Sequence, residues 1–258
     1  MTTAHADGVD LHYETAGDGP TIAFVGDVGF GAWQWAWQFD ALAGPFEALV
    51  YDHRGTGQSD APPGPYDLAT LVTDLEAVLS DAGVESVHLA GLGLGGIVAL
   101  EYARDHARAE TLPLLGAGAD AVGVDPMALY APRADPDALR ETTERALSNE
   151  FVEQFPEAVE DVATWRADDD ADEDAWAAQS AAIDGYEVED SYEITTPALV
   201  LHGTDDEIWP ASGGRTLASD LPRGEFEAVE GAGHLVQIGA SEAVNDLLFD
   251  RASDEDAF

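Results

Sequence analysis

Ser86-Val87-His88-Leu89-Ala90-Gly91-Leu92-Gly93-Leu94-Gly95-Gly96-Ile97-Val98-Ala99-Leu100 is the stretch that decides the fold. Val87 to Ala90 is an apolar run of the kind that makes a buried strand. A glycine-dense turn follows, and a helical pattern runs from Ile97 to about Arg108. Within the turn, the frame Gly91-Leu92-Gly93-Leu94-Gly95 places a glycine at the centre.

Gly91, Gly93 and Gly96 also spell G-x-G-x-x-G between a strand and a helix, the dinucleotide fingerprint. That pattern belongs on the first strand of a βαβ unit, with an acid ending the next strand. Here three strand-like segments come before it, and the next strand, about Thr111 to Leu115, ends in Gly116-Ala117-Gly118. Dinucleotide binding is therefore the weaker reading, and no cofactor is expected.

The chain has 258 residues, no cysteine, and 52 acidic against 10 basic residues, for a formal net charge of −42. All the basic residues are arginines. Disulfide and thiolate chemistry are excluded, and no basic stripe exists to neutralise phosphates, so nucleic acid is not an expected partner. No apolar run reaches membrane-spanning length, and the first residues lack the regions of a signal peptide. A small-molecule ligand and a cytoplasmic location are the expectations. At physiological salt the Debye length is about 8 Å, which leaves much of this self-repulsion standing; at molar salt it is about 3 Å. The lysine-free acidic composition resembles that of cytoplasmic proteins from salt-accumulating halophilic archaea.

Outward from the glycine turn, strands and helices alternate. Val9 to Thr15 and Thr21 to Val25 read as strands, the second ending in Gly26-Asp27-Val28-Gly29-Phe30-Gly31. A helix with Trp33, Trp35 and Trp37 at its start runs to about Ala43. Phe46 to Tyr51 is a strand, and Leu68 to Ala82 a helix with Leu71, Leu75, Val78 and Leu79 on one face. Strands resume at Ala198 to His202 and Gly224 to Val229, before a closing helix from Ser241 to Asp250 and an acidic tail at 254–256 expected to fray. This alternation predicts an α/β fold: a mostly parallel sheet of about eight strands with helices on both faces. Residues 1–119 and 194–258 form the expected core domain, and 120–193 an acidic helical cap inserted over the sheet. The run Asp168-Asp169-Asp170-Ala171-Asp172-Glu173-Asp174 reads as a solvated loop and helix start. It lacks the glycine and spacing of a calcium loop, and no metal site is expected.

Two further motifs complete the pattern. His202-Gly203-Thr204-Asp205-Asp206-Glu207-Ile208-Trp209-Pro210 carries an acid in the turn after a strand, and Gly231-Ala232-Gly233-His234 puts a histidine in the loop after the last strand. Over nearly its full length the sequence resembles the α/β-hydrolase superfamily, whose G-x-S-x-G elbow sits in a strand–turn–helix and whose acid and histidine follow in this order. Tyr51-Asp52-His53-Arg54-Gly55-Thr56-Gly57-Gln58-Ser59, Pro62-Pro63-Gly64-Pro65-Tyr66 and the tryptophan-rich helix look most like 3-oxoadipate enol-lactonases and their esterase relatives.

The resemblance implies a role for particular positions. Asp206 matches the acid and His234 the base, while Val28 and Leu94 match the residues whose N–H groups form the oxyanion hole. Gly93 falls at the nucleophile position and supplies no side chain. Gly26-Asp27 departs from the family's pattern before the first oxyanion residue, so the departure is double. A serine replaced at position 93 in the laboratory would not bring that loop change with it. Asp120 competes with Asp206 for the acid, and an ordinary loop histidine is the bland reading of His234. His53 is expected to be structural. Asp27, Trp33 and Trp209 are candidate pocket residues. The resemblance thus implies action on a small ester, lactone or carbonyl compound through a His234–Asp206 base, with space beside His234 for a water. A catalytically silent relative that binds a small molecule or a protein is the alternative.

Overall fold

The computed structural model describes residues 2–253; the acidic tail lies outside the described residues. Its frame is one eight-stranded sheet in the order β1-β2-β4-β3-β5-β6-β7-β8. The strands are β1 (Thr2–Ala6), β2 (Val9–Ala16), β3 (Thr21–Val25), β4 (Glu47–Tyr51), β5 (Val87–Leu92), β6 (Ala109–Leu115), β7 (Ala198–Gly203) and β8 (Gly224–Val229). Only β1–β2 and β2–β4 pair antiparallel; every other pairing is parallel. This is the mostly parallel sheet that the sequence predicts, and it is open rather than closed. The edge strand β1 was not among the expected strands; its hairpin with β2 turns on Asp7 and Gly8, both at positive φ. An Asp-Gly pair is the residue choice such a tight hairpin needs.

Chain order places the helices. From β3 the chain moves through α1 (Ala36–Leu42) to β4, towards one edge. From β4 it returns through α2 (Leu68–Asp81) to β5, and through α3 (Leu94–Asp105) to β6, towards the other. Right-handed crossovers running in opposite directions put their helices on opposite faces. Accordingly α1 packs with α10 (Ser241–Ser253), while α2 packs with α3. The direction reverses between β3 and β5, so a crevice opens beyond their carboxyl ends, the usual place for a ligand in an open α/β sheet.

The helix α3 is buried from Leu94 to Tyr102. Gly95 permits this, since a Cβ there would overlap the carbonyl of Val25 at the end of β3. Two of the fingerprint glycines, Gly91 and Gly96, serve the same close packing, since a Cβ at either would overlap the Gly95 carbonyl or Ala117 respectively.

Between β6 and β7 the chain leaves the sheet for α4 (Pro136–Ala146), α5 (Asn149–Gln154), α6 (Pro156–Asp169) and α7 (Glu173–Ser180). An antiparallel bridge between Asp120 and Glu187 draws the two ends of this excursion together. The acidic run from Asp168 to Asp174 is only partly the solvated loop that was expected. Asp172 caps α7 through the N–H of Ala175, but Asp170 is fully buried. It accepts from Arg166 Nε at 2.8 Å and from Trp33 Nε1 at 2.9 Å. Burial outweighs those partners and pushes its carboxyl up to about 6. Buried charges need such pairing, and composition alone cannot say which acid of a run receives it. Among the described residues, no helix is long and apolar enough to cross a membrane.

Candidate active site

The turn after β5 has the predicted strand–turn–helix form, with Gly93 at φ 52°, ψ −115° as the N-cap of α3. That conformation is strained for residues with a Cβ and free for glycine. Its neighbour Leu94 begins the helix with an unpaired N–H, one of the donors every helix start leaves over.

That donor is taken by Asp27. The residue follows β3 and its carboxylate leans across the crevice to the end of β5. Its Oδ1 accepts the Leu94 N–H at 2.8 Å, and its Oδ2 lies 2.9 Å from His234 Nε2. A Cβ added at Gly93 would overlap this carboxylate. The space expected to be open beside His234 is therefore filled. A carboxylate at the start of α3 also opposes a dinucleotide phosphate there, on charge and on space.

Asp27 is held in this pose by its own loop. Its N–H donates to Gln34 Oε1 at 2.9 Å, and Gln34 Nε2 donates back to the carbonyls of Phe30 and Gly31. His53 Nε2 donates to the Gly26 carbonyl at 2.9 Å, the structural role foreseen for it. Its burial pushes the imidazole down to about 4, against the opposing pull of the Gly26 carbonyl and of Asp27.

His234 lies in the loop between β8 and the short helix α9 (Val236–Gly239), with its side chain fully buried. Its Nδ1 is 2.9 Å from Asp206 Oδ2. Asp206 is fixed in the turn after β7: its Oδ1 accepts the N–H groups of Ile208 at 2.8 Å and Trp209 at 2.9 Å. The competing Asp120 spends its carboxylate on the Val122 N–H instead. His202, not singled out from the sequence, brings its Nε2 to 3.3 Å from Asp206 Oδ2 and to 2.9 Å from the Trp209 carbonyl.

His234 thus lies between two carboxylates. Burial alone would lower its pKa. The charge of Asp206, their hydrogen bond and the contact with Asp27 override it, pushing the imidazole up to about 10. The two carboxylates favour the imidazolium form of His234, with each ring nitrogen placed to donate to one of them. Burial would raise Asp206, but the His234 charge and the donors from His202, His234 and Trp209 hold it well below the usual carboxylate range.

Of the remaining candidates, Val28 and Trp209 border the site and Trp33 does not. A cavity of about 10 Å³, room for about one water, adjoins Asp27. Val28, Pro126, Leu129, Trp176, Ile208 and Trp209 wall it, and Asp27 is the ionisable group among its lining residues. Trp33 is turned the other way by its hydrogen bond to Asp170 and lines a separate hollow with His12 and Asp52. Trp176 was missed because it lies far along the chain in α7. It packs edge-on to Phe30, and a Cβ at Gly29 would overlap it. A wider hollow of about 570 Å³ at the opposite strand ends holds none of these residues.

The comparisons agree with this fold. RutD of Azorhizobium caulinodans, a relative named for carbamate hydrolysis, is 28% identical over 277 residues, spanning 96% of this chain and 97% of that one. The enol-lactonase from Burkholderia xenovorans LB400 superposes with a TM-score of 0.86 at 28% identity, covering 98% of this chain and 100% of that one. Est816, described as an N-acyl homoserine lactone degrading enzyme, superposes at 0.83 with 25% identity over 96% of this chain and 99% of its own. The sequence model of the alpha/beta hydrolase family matches residues 24–247. The chain belongs to that family.

Proposed function

We propose that this protein hydrolyses a small, uncharged ester, lactone or carbamate, with Asp27 standing where a serine nucleophile would be. The observation that carries the reading is the double contact of one carboxylate. Asp27 touches both the N–H that starts α3 and the histidine that a triad serine would touch. Gly93 offers no group to acylate, so the route runs through water. Asp27 takes a proton as water attacks the carbonyl carbon, and the C–O bond to the leaving group breaks as His234 donates to it. Asp27 then returns its proton to His234 across their 2.9 Å contact. General acid and base catalysis of this kind contributes typically about 10²–10⁴-fold. Names borne by relatives suggest the substrate class, carbamate for one and lactones for two. Two carboxylates against one imidazolium leave a net negative site, which disfavours anionic substrates.

Residues 120–193 act in this reading as a cap over the crevice, and 1–119 with 194–258 as the core. A silent, ligand-binding relative is the second reading, favoured by a cavity of only about 10 Å³. The test is turnover of an aryl acetate, a small lactone and ethyl carbamate at molar KCl, comparing wild type with Asp27→Asn and His234→Gln. Turnover lost in both variants supports the enzyme. Absence of turnover, or turnover indifferent to Asp27, sinks it.

A further inference from the structure

We propose that His202 is a positioning residue for the buried acid: it shares Oδ2 of Asp206 with His234 and, through that oxygen, sets how firmly His234 is held. What this means for catalysis rests on reading Asp206 and His234 as the acid–base pair of the site.

The sharing is a matter of geometry. His202 is the last residue but one of β7, and its side chain is fully buried. Its Nε2 lies 2.9 Å from the Trp209 carbonyl and 3.3 Å from Asp206 Oδ2, the oxygen that meets His234 Nδ1 at 2.9 Å. The other oxygen, Oδ1, is bound by the N–H groups of Ile208 and Trp209. Those two backbone donors fix the plane of the carboxylate whether or not His202 is present. What His202 adds is a competitor for Oδ2, and a carboxylate whose charge is divided between donors pulls less on each of them.

The surroundings of the ring decide which nitrogen of His202 carries the proton. Nε2 faces two oxygens, so a bare Nε2 would set its lone pair against theirs, one of them on an anion. Nδ1 is buried with no hydrogen-bond partner among the described residues. On that side α8 (Ala211–Asp220) presents Gly214, where a Cβ would stand 2.7 Å from Nδ1. Glycine inside a helix is unfavourable, and here it makes room for the ring. A proton on Nδ1 would be a buried donor without an acceptor. The proton therefore belongs on Nε2, and His202 acts on Asp206 as a donor. The same N–H holds the Trp209 carbonyl, so one side chain fastens both the acid and the turn that carries it. The ionisable groups facing His234 are Asp206 from the β7 turn and Asp27 from the β3 loop, and Asp206 alone faces both histidines.

NMR of protein with ¹⁵N-labelled histidine, at molar KCl, tests this. It is read in Asp27→Asn, where His234 has lost one of its two anions and titrates lower. His202 is expected to show a protonated, slowly exchanging Nε2 whose resonance moves as His234 titrates. A bare Nε2, or one indifferent to His234, overturns the proposal. Adding His202→Phe leaves the whole charge of Oδ2 to His234 and should raise its pKa by about one unit. Adding His202→Gln instead, whose amide can donate to both oxygens, should restore the Asp27→Asn value. A histidine that only fills space would cost stability in both variants without moving the titration, so an unmoved or lowered value in His202→Phe also overturns the proposal. If His202→Phe does not fold, the spectrum with His202 in place decides alone. None of these readouts requires turnover, so this proposal and the hydrolytic reading can fail separately.

Discussion

Asp27 and Gly93 divide one volume between them: the carboxylate occupies the place that a side chain at 93 would need. In the proposed reading the two departures from the family pattern are one exchange, a group on the β3 loop in place of one at the β5 turn. Gly93→Ser alone is expected to destabilise by about 1–3 kcal/mol, the usual cost of overpacking. The double variant Asp27→Gly/Gly93→Ser should recover much of that loss, with a coupling of about 0.5–3 kcal/mol, and gain esterase activity. Strict additivity of the two changes in a denaturant titration contradicts the exchange.

Asp27→Asn removes one of the two anions that face His234. Asp206 still holds the imidazole up, so it should then titrate below about 10, as followed by NMR of the ring protons. An unchanged titration places the cause of the raised value entirely in Asp206.

Stability should form a dome in pH. His234 is raised from 6.5 to about 10, so its contribution is complete below about pH 6.5 and disappears as pH rises through 10. His53 is lowered from 6.5 to about 4, so its contribution is present above about pH 6.5 and disappears as pH falls through 4. Denaturation at molar KCl across this range checks both flanks, and Asp27→Asn should flatten the alkaline one.

Arg166 is wholly buried, paired to Asp170 and donating to the carbonyls of Leu129 and Leu139. Arg166→Met leaves the Asp170 charge unpaired and should cost about 3–5 kcal/mol. Arg166→Met/Asp170→Leu should cost less than the single change. The converse ranking in thermal melts would show that the pair adds net stability.

With a formal charge of −42, melting temperature should climb as KCl rises from about 0.1 to 3 M. A flat profile removes the argument for adaptation to high salt.

Much of this was legible because local patterns carried it. The turn at Gly93 declared itself by glycines between an apolar run and a helix, and Asp206 by its place after a strand. Both signals are set by residues adjacent in sequence. What Asp27 does was not legible, although the residue stood out. Its partners Leu94 and His234 come from other elements, and only the reversal of chain direction between β3 and β5 brings them together. The clue available was that the sequence departs from the family pattern at both loops, with a carboxylate at 27 and no side chain at 93. Asp170 escaped for a different reason. A run of like residues hides which member is buried, since that depends on Arg166 and Trp33 and not on its neighbours in the chain.

The stitching around α7 has a mechanical consequence. The N–H of Gly29 donates to Gln179, whose amide in turn donates to the Arg54 carbonyl, and the Gly29 carbonyl accepts from Ala171. Gly29 sits two residues from Asp27, on the same loop. Any lifting of α7 wide enough to admit a molecule therefore tugs on the strand of backbone that aims the carboxylate. If residues 120–193 act as the proposed cap, admission and alignment are one coordinate: the segment cannot lift without turning the carboxylate behind it.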